Sequence, residues 1–145
     1  MQENSSVIER NKSLVRDFFE ALNNQDLEAF DDLIDQDYTD HNPANNAEGQ
    51  SGREELKQYF ADINAAMDPE YVVNDIIAED DKVVVRNLVH GTHQAELMGV
   101  EATGKRLTAE AVQIYRIENG RLTEHWEIAD NLGLLQQLDV VDIDG

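Results

Sequence analysis

"IYRIENGRLTEHWEIAD", residues 114–130, alternates apolar and polar side chains on either side of Asn119-Gly120. Alternation with a period of two marks a half-buried strand, and Asn-Gly between two such runs is a strong signal for a two-residue hairpin. The segment therefore predicts two antiparallel strands joined by a tight turn. Its first arm extends back through "RLTAEAVQIYRI", residues 106–117. Upstream, "YVVNDIIA" (71–78) and "KVVVRNLVHGTH" (82–93) read the same way, with "AEDD" as the turn between them. Four strands in succession predict an antiparallel meander. The link "QAELMGVEATGK", residues 94–105, is longer and carries Leu97, Met98 and Val100 either over a pocket mouth or in a dimer contact.

Ahead of the strands the period changes to that of a helix. Residues 6–22 place Val7, Leu14, Val15, Phe18, Phe19 and Leu22 at helical spacing among charged residues. Asp26 is placed to cap a short second helix with the stripe Leu27, Phe30, Leu33 and Ile34. Pro43 and an Asn/Gly cluster make residues 40–52 a loop. Ser51-x-x-Glu54 then reads as a capping box for a third helix whose apolar face is Leu56, Phe60, Ile63 and Met67, ended by Asp68-Pro69. A short last helix, "LGLLQQL" (132–138), precedes an acidic tail, 139–145. The expected fold is a single α+β domain over residues 1–145, with three N-terminal helices on one face of a four-stranded sheet. A sheet that curls leaves a pocket between itself and the helices, the natural place for a ligand.

Composition narrows the functions open to such a domain. Of 145 residues, 41% are hydrophobic, enough for one core, and the absence of cysteine excludes disulfides, thiolate nucleophiles and cysteine metal sites. The chain has 31 Asp and Glu against 11 Lys and Arg, a formal net charge of -20, so nucleic acid is repelled. No apolar run reaches membrane-spanning length and the start lacks a secretion signal, which predicts a cytoplasmic protein without a membrane partner. Carboxylates spread over the whole chain belong to a folded surface. Their repulsion is screened only in concentrated salt, as expected of a halophile's cytosol, although an acidic protein of ordinary origin has the same composition.

Asp130 continues the face of Trp126 and Ile128, whereas His125, Glu127 and Ala129 take the opposite, polar and solvated face. A carboxylate on an apolar wall is desolvated and suited to general acid–base work; the structural reading is that Asp130 caps the last helix. His93 shares a strand face with Val85, Asn87 and Val89, as a catalytic group or as a hydrogen-bonded core residue. His41 sits over a pocket mouth or holds a turn. His90-x-x-His93 on a strand points its two rings to opposite faces, so no metal is expected. Phosphate loops and the Gly-x-Ser-x-Gly elbow are absent.

The stretches "NKSLVRDFFEALNNQDLEAFDDLIDQDYTDHNP", "VVVRNLVHGTHQAELMGVEATGKRL" and "IYRIENGRLTEHWEIADNLGLLQQL" resemble the SnoaL-like polyketide cyclase family, within the nuclear transport factor 2-like superfamily. The resemblance implies a cone: a curved antiparallel sheet around helices, enclosing an apolar pocket, with a homodimer formed through the sheet. It also implies intramolecular aldol chemistry on a small apolar or polycyclic carbonyl compound, without metal or organic cofactor. The family's catalytic aspartate looks like Asp130, with His93 or Gln113 stabilising the enolate oxygen. His41, Gln113 and Trp126 resemble pocket-lining positions, and Asn87, Phe18 and Phe60 complete the expected lining. Asn87 stands where many relatives carry a bulky aromatic residue. Three other readings stay open at this point: a pocket that binds without chemistry, a dimeric interaction module, and an epoxide hydrolase built on Arg86 and Asp130.

Overall fold

The computed structural model of the chain describes residues 2–41 and 50–140. Helix α1 spans Gln2–Asn23, a 3-10 turn Leu27–Ala29 leads into the one-turn helix α2, Phe30–Leu33, and α3 spans Arg53–Met67. The strands are β1 (Ile34–Asp40), β2 (Gln50–Ser51), β3 (Glu70–Glu79), β4 (Lys82–Thr92), β5 (Arg106–Glu118) and β6 (Arg121–Ala129), followed by α4 (Asn131–Gln137). They form one curved sheet in the order β2-β1-β6-β5-β4-β3. Most of the expected loop and residues 141–145 of the acidic tail lie outside the described residues.

The four predicted strands are present and pair antiparallel in sequence order. Asn119 and Gly120 have φ of 53° and 75°, the left-handed pair that a tight hairpin turn demands. Two features depart from the sequence reading. Ile34 ends the apolar stripe of the second helix yet opens β1, a strand the sequence reading lacks, and β1 runs parallel to β6. Helix α3 has no capping box: Gly52 occupies the N-cap position at φ 98°, with no side-chain cap, while its N–H bonds Tyr38 O of β1. The chain is still leaving the sheet edge at Gly52, and only glycine adopts that angle without strain.

The core lies between α1–α3 and the concave face. Val15, Phe18, Phe19, Leu22 and Phe30 from the helices meet Val83, Val85, Tyr115, Ile117 and Leu122 from the strands. Aromatic rings dominate it: Phe18 lies with its ring centroid 5.3 Å from Phe30, 5.8 Å from Tyr115 and 6.1 Å from Phe60. A smaller cluster of Met67, Leu97, Leu107 and Leu138 ties α3 and α4 to the open end of the sheet.

Gly91 lets the end of α3 approach β4. A Cβ there would stand 2.6 Å from Met67 O and 2.5 Å from Met67 Cε, and the backbone oxygen has nowhere to go. Gly91→Ala is expected to destabilise the fold by about 1–3 kcal/mol, the usual range for overpacking, read as a lower urea midpoint at unchanged slope. An unchanged midpoint would mean that α3 is not held against β4 in this way.

Candidate active site

Strand register assembles the site. Gln113 of β5 pairs directly with Glu127 of β6, Tyr115 pairs with His125, and Asp40 of β1 pairs with His125 from the other side. On β4, Asn87 shares the inward face with Val83 and Val85. The side chains complete what the backbone pairing begins. His125 Nδ1 is 3.0 Å from Asp40 Oδ2, His125 Nε2 is 2.6 Å from Gln113 Oε1, and Gln113 Nε2 donates to Glu127 Oε2 at 2.7 Å and to Asn87 Oδ1 at 3.3 Å.

This chain of contacts fixes its own hydrogens. An ionised carboxylate only accepts, so the amide nitrogen of Gln113 must face Glu127. Oε1 of Gln113 is then left to accept, and His125 must carry a proton on Nε2. On its other side the ring meets the Asp40 carboxyl through Nδ1, and this contact is buried. Both N–H groups of Gln113 are used within the protein, which leaves it no donor for a substrate oxygen.

These residues form the polar wall of a cavity of about 160 Å³. Phe18, Phe60, Tyr38, Tyr59, Tyr71 and Tyr115 line it from the core, and Ile63, Met67, Val89 and Leu134 line it toward the open end. Leu97 and Met98 stand at that end, on a tight turn closed by paired hydrogen bonds between Leu97 and Val100. Burial pushes the hydroxyls of Tyr38, Tyr59, Tyr71 and Tyr115 up from their ordinary range, and nearby carboxylates or tyrosines push the same way. They are therefore neutral hydrogen-bonding groups at physiological pH. Glu127 thus shares the cavity wall with four neutral tyrosines.

The residues expected at the site divide into two groups. Asn87, Gln113, Phe18 and Phe60 line the cavity. Asp130, His93, His41, Trp126 and Arg86 lie elsewhere, and each placement has a physical reason. Asp130 is exposed and caps α4, its Oδ1 accepting from Gly133 N at 2.8 Å. His93 is fully buried and points into the 94–105 loop: Thr103 N donates to Nδ1 at 3.2 Å and Nε2 donates to Val100 O at 3.1 Å. Both its ring nitrogens are spent on holding that loop.

Trp126 belongs to the outer face of the sheet, where His41 stacks on it at 4.7 Å and the Arg116 guanidinium lies 5.6 Å from its ring centre. The hydrogen bond from His41, with help from Arg116, holds the Glu124 carboxyl below its usual range against the opposing effect of burial. Arg86 is exposed on the same outer face, donating to Asp75 at 2.6 Å and Glu110 at 3.0 Å, which removes the basis for an Arg86–Asp130 epoxide hydrolase.

Asp40, His125 and Glu127 are cavity residues that the sequence reading missed. It counted β6 as a regular strand. In the structure Ile117 pairs with Leu122 but Arg116 pairs with Glu124, so Thr123 is one residue too many. A bulge of one residue exchanges the two faces of everything beyond it. It turns His125, Glu127 and Ala129 inward and Trp126 and Ile128 outward. Leu122 shares the buried face of Ile117 across the Asn119-Gly120 turn, and plain alternation from it points Trp126 and Ile128 inward, so the sequence gives no signal for the bulge.

His93→Leu leaves Thr103 N and Val100 O without their ring partners, costing about 1–3 kcal/mol for buried groups. Hydrogen exchange should show faster amides across 97–104. Unchanged protection there would mean that His93 does not hold the loop.

A cone of sheet and helices closed around a cavity with two carboxylates, Asp40 and Glu127, on its wall defines a class of small, pocket-bearing α+β proteins. Within that class, the sequence profile of the SnoaL-like polyketide cyclases matches residues 13–138, and the chain belongs to this family. Aklanonic acid methyl ester cyclase DnrD of Streptomyces peucetius is 28% identical over 132 residues, covering 86% of this chain and 88% of that protein. Nogalonic acid methyl ester cyclase of Streptomyces nogalater is 27% identical over 121 residues, covering 81% and 89%. The crystal structure of IdmH from Streptomyces antibioticus, described as a candidate polyketide cyclase, superposes with a TM-score of 0.76 at 34% identity, over 90% of this chain and 99% of that one. No helix among the described residues is long and apolar enough to cross a membrane.

Proposed function

We propose that the protein is a cyclase that closes a ring of a carbonyl compound by intramolecular aldol addition, with Glu127 as the general base. The observation that carries this reading is the Glu127 carboxylate on the wall of an aromatic cavity, oriented by the Gln113 amide. Glu127 takes a proton from the carbon next to a carbonyl, and the enolate carbon attacks a second carbonyl carbon of the same molecule. A carbon–carbon bond forms, and the resulting alkoxide recovers the proton from the Glu127 carboxylic acid. No electrons are gained or lost overall, so the chemistry needs no redox partner. The cavity folds the flexible substrate so that the two carbons meet, which supplies much of the rate.

A dry cavity of about 150 Å³ holds one benzene-sized ring. The 160 Å³ here accommodates the reacting part of a polycyclic ester, with the remainder extending past Leu97 and Met98. Relatives named for the methyl esters of aklanonic and nogalonic acids supply the first compounds to try. The test is to incubate the purified protein with each ester and follow ring closure by chromatography and mass spectrometry. A product of unchanged mass with a new ring supports the reading; recovery of both esters intact, bound or unbound, favours a binding protein instead.

A second copy of the chain is the proposed cover for the outer sheet face. Rows Val84–Ile114–Trp126 and Arg86–Val112–Ile128 cross it, and Ile128 and Ile77 are 80% and 63% exposed. Burying such side chains is favourable by about 25 cal/mol per Å². Sedimentation at micromolar concentration and in molar KCl, where like charges are screened, is expected to give a dimer; a monomer there would contradict this.

A further inference from the structure

We propose that Asn87 Nδ2 is the hydrogen-bond donor that holds the carbonyl oxygen of the substrate as it becomes an enolate oxygen. The inference rests on the aldol reading above and deepens it by naming the group that recognises the reacting carbonyl.

The Glu127 carboxylate forces the amide nitrogen of Gln113 toward itself, and that same nitrogen lies 3.3 Å from Asn87 Oδ1. Two facing amides must present opposite ends, so Oδ1 of Asn87 is the acceptor and Nδ2 is the end left over. Nδ2 has one contact, to Leu88 O at 3.5 Å, which is the outer limit of a hydrogen bond. Its other N–H meets no acceptor among the described residues, although Asn87 is only 2% exposed and lines the cavity. A buried N–H without an acceptor is costly, and a group that serves catalysis is one of the reasons a protein keeps one.

The amide and imidazole neighbours of Asn87 on this wall are committed, whereas the tyrosine hydroxyls line the cavity from the core. Gln113 spends both N–H groups within the protein, and His125 Nε2 is held by Gln113 Oε1. Glu127 and the Asn87 oxygen flank a single nitrogen, so the carboxylate and the Asn87 amide are neighbours on one wall, with Nδ2 at the far end of that amide. An O=C–C–H fragment needs that arrangement: its oxygen gains negative charge while its neighbouring carbon loses a proton. A donor aimed where charge develops stabilises the transition state more than the ground state. The site therefore selects ligands presenting an acceptor oxygen, a ketone or ester carbonyl, over hydrocarbons of the same shape.

The probes are acetophenone, whose oxygen only accepts, and ethylbenzene, which has the same skeleton without the oxygen. Calorimetric titration of each into the native protein gives an affinity ratio, and the infrared stretch of 13C-carbonyl acetophenone reports a hydrogen bond directly. In Asn87→Leu the acetophenone-to-ethylbenzene ratio is expected to fall about three- to tenfold, as for loss of one hydrogen bond, with the carbonyl band moving to higher wavenumber. Asn87→Ser, which restores a donor, is expected to recover part of both, and it serves as the test if the leucine variant does not fold. An unchanged ratio and band in Asn87→Leu would overturn the proposal. So would a native protein that shows no preference for, or no binding of, acetophenone. The outcomes separate this claim from the assignment of the base. If Glu127→Gln retains turnover while the Asn87 effects appear, the carbonyl site stands and the base lies elsewhere; the converse result removes Asn87 alone.

Discussion

Glu127→Gln is expected to lower kcat for ring closure by roughly 10³, within the 10²–10⁴ range typical of a lost general base, while the melting temperature stays within a few degrees. The substitution keeps the shape of the side chain, and an amide oxygen still accepts from Gln113 Nε2. What disappears is the ability to hold a proton. Among the described residues of this wall the tyrosines are neutral, and Asp40 and His125 are bonded to each other. KM should change by only a few fold, since the carboxylate acts on the proton in flight more than on the resting substrate. A loss of KM with kcat intact would make Glu127 a binding group.

Phe18→Ala should produce the largest change in stability. Its ring is buried against Phe19, Phe30, Phe60 and Tyr115, with centroid separations of 5.9, 5.3, 6.1 and 5.8 Å. It joins α1 to α2, α3 and β5 at one point. Truncation of such a side chain costs about 3–5 kcal/mol, the lost transfer energy plus the cavity left behind. At about 2–4 °C per kcal/mol for a domain of this size, the melting temperature should drop by roughly 10–15 °C. Phe18 also lines the cavity, so the variant should admit larger ligands even as it loses stability. A shift under 3 °C would mean that the aromatic cluster is not packed as described.

The strands were legible because their alternation is strong and Asn119-Gly120 fixes a turn with both φ positive. The helices were legible from the spacing of Val15, Phe18, Phe19 and Leu22, all of which are buried. What escaped was which way β6 faces. Two physical facts concealed it. A bulge at Thr123 carries no obligatory residue, and Thr123 accommodates it with a side-chain bond to Arg116 O at 3.3 Å. Moreover, the rule that polar residues face water fails where a cavity needs them: His125 and Glu127 look inward while Ile128 looks out. Strand β1 escaped because Ile34 completes the helical stripe of Phe30 and Leu33 before turning into the sheet, and its tertiary pairing with Leu122 decides the matter. The cap at Asp130 was one of two readings left open by spacing, and Gly133 N selects it.

The most direct test sets two carboxylates against each other. Glu127→Gln and Asp130→Asn are prepared together, matched for folding by melting temperature, and assayed for ring closure on whichever methyl ester the native protein accepts. The account predicts near-native turnover for Asp130→Asn, since asparagine caps a helix about as well as aspartate and the side chain lies outside the cavity. It predicts a roughly 10³-fold loss for Glu127→Gln. The reverse pattern, with Asp130→Asn inactive and Glu127→Gln active, would contradict the inward orientation of Glu127 and the site built upon it.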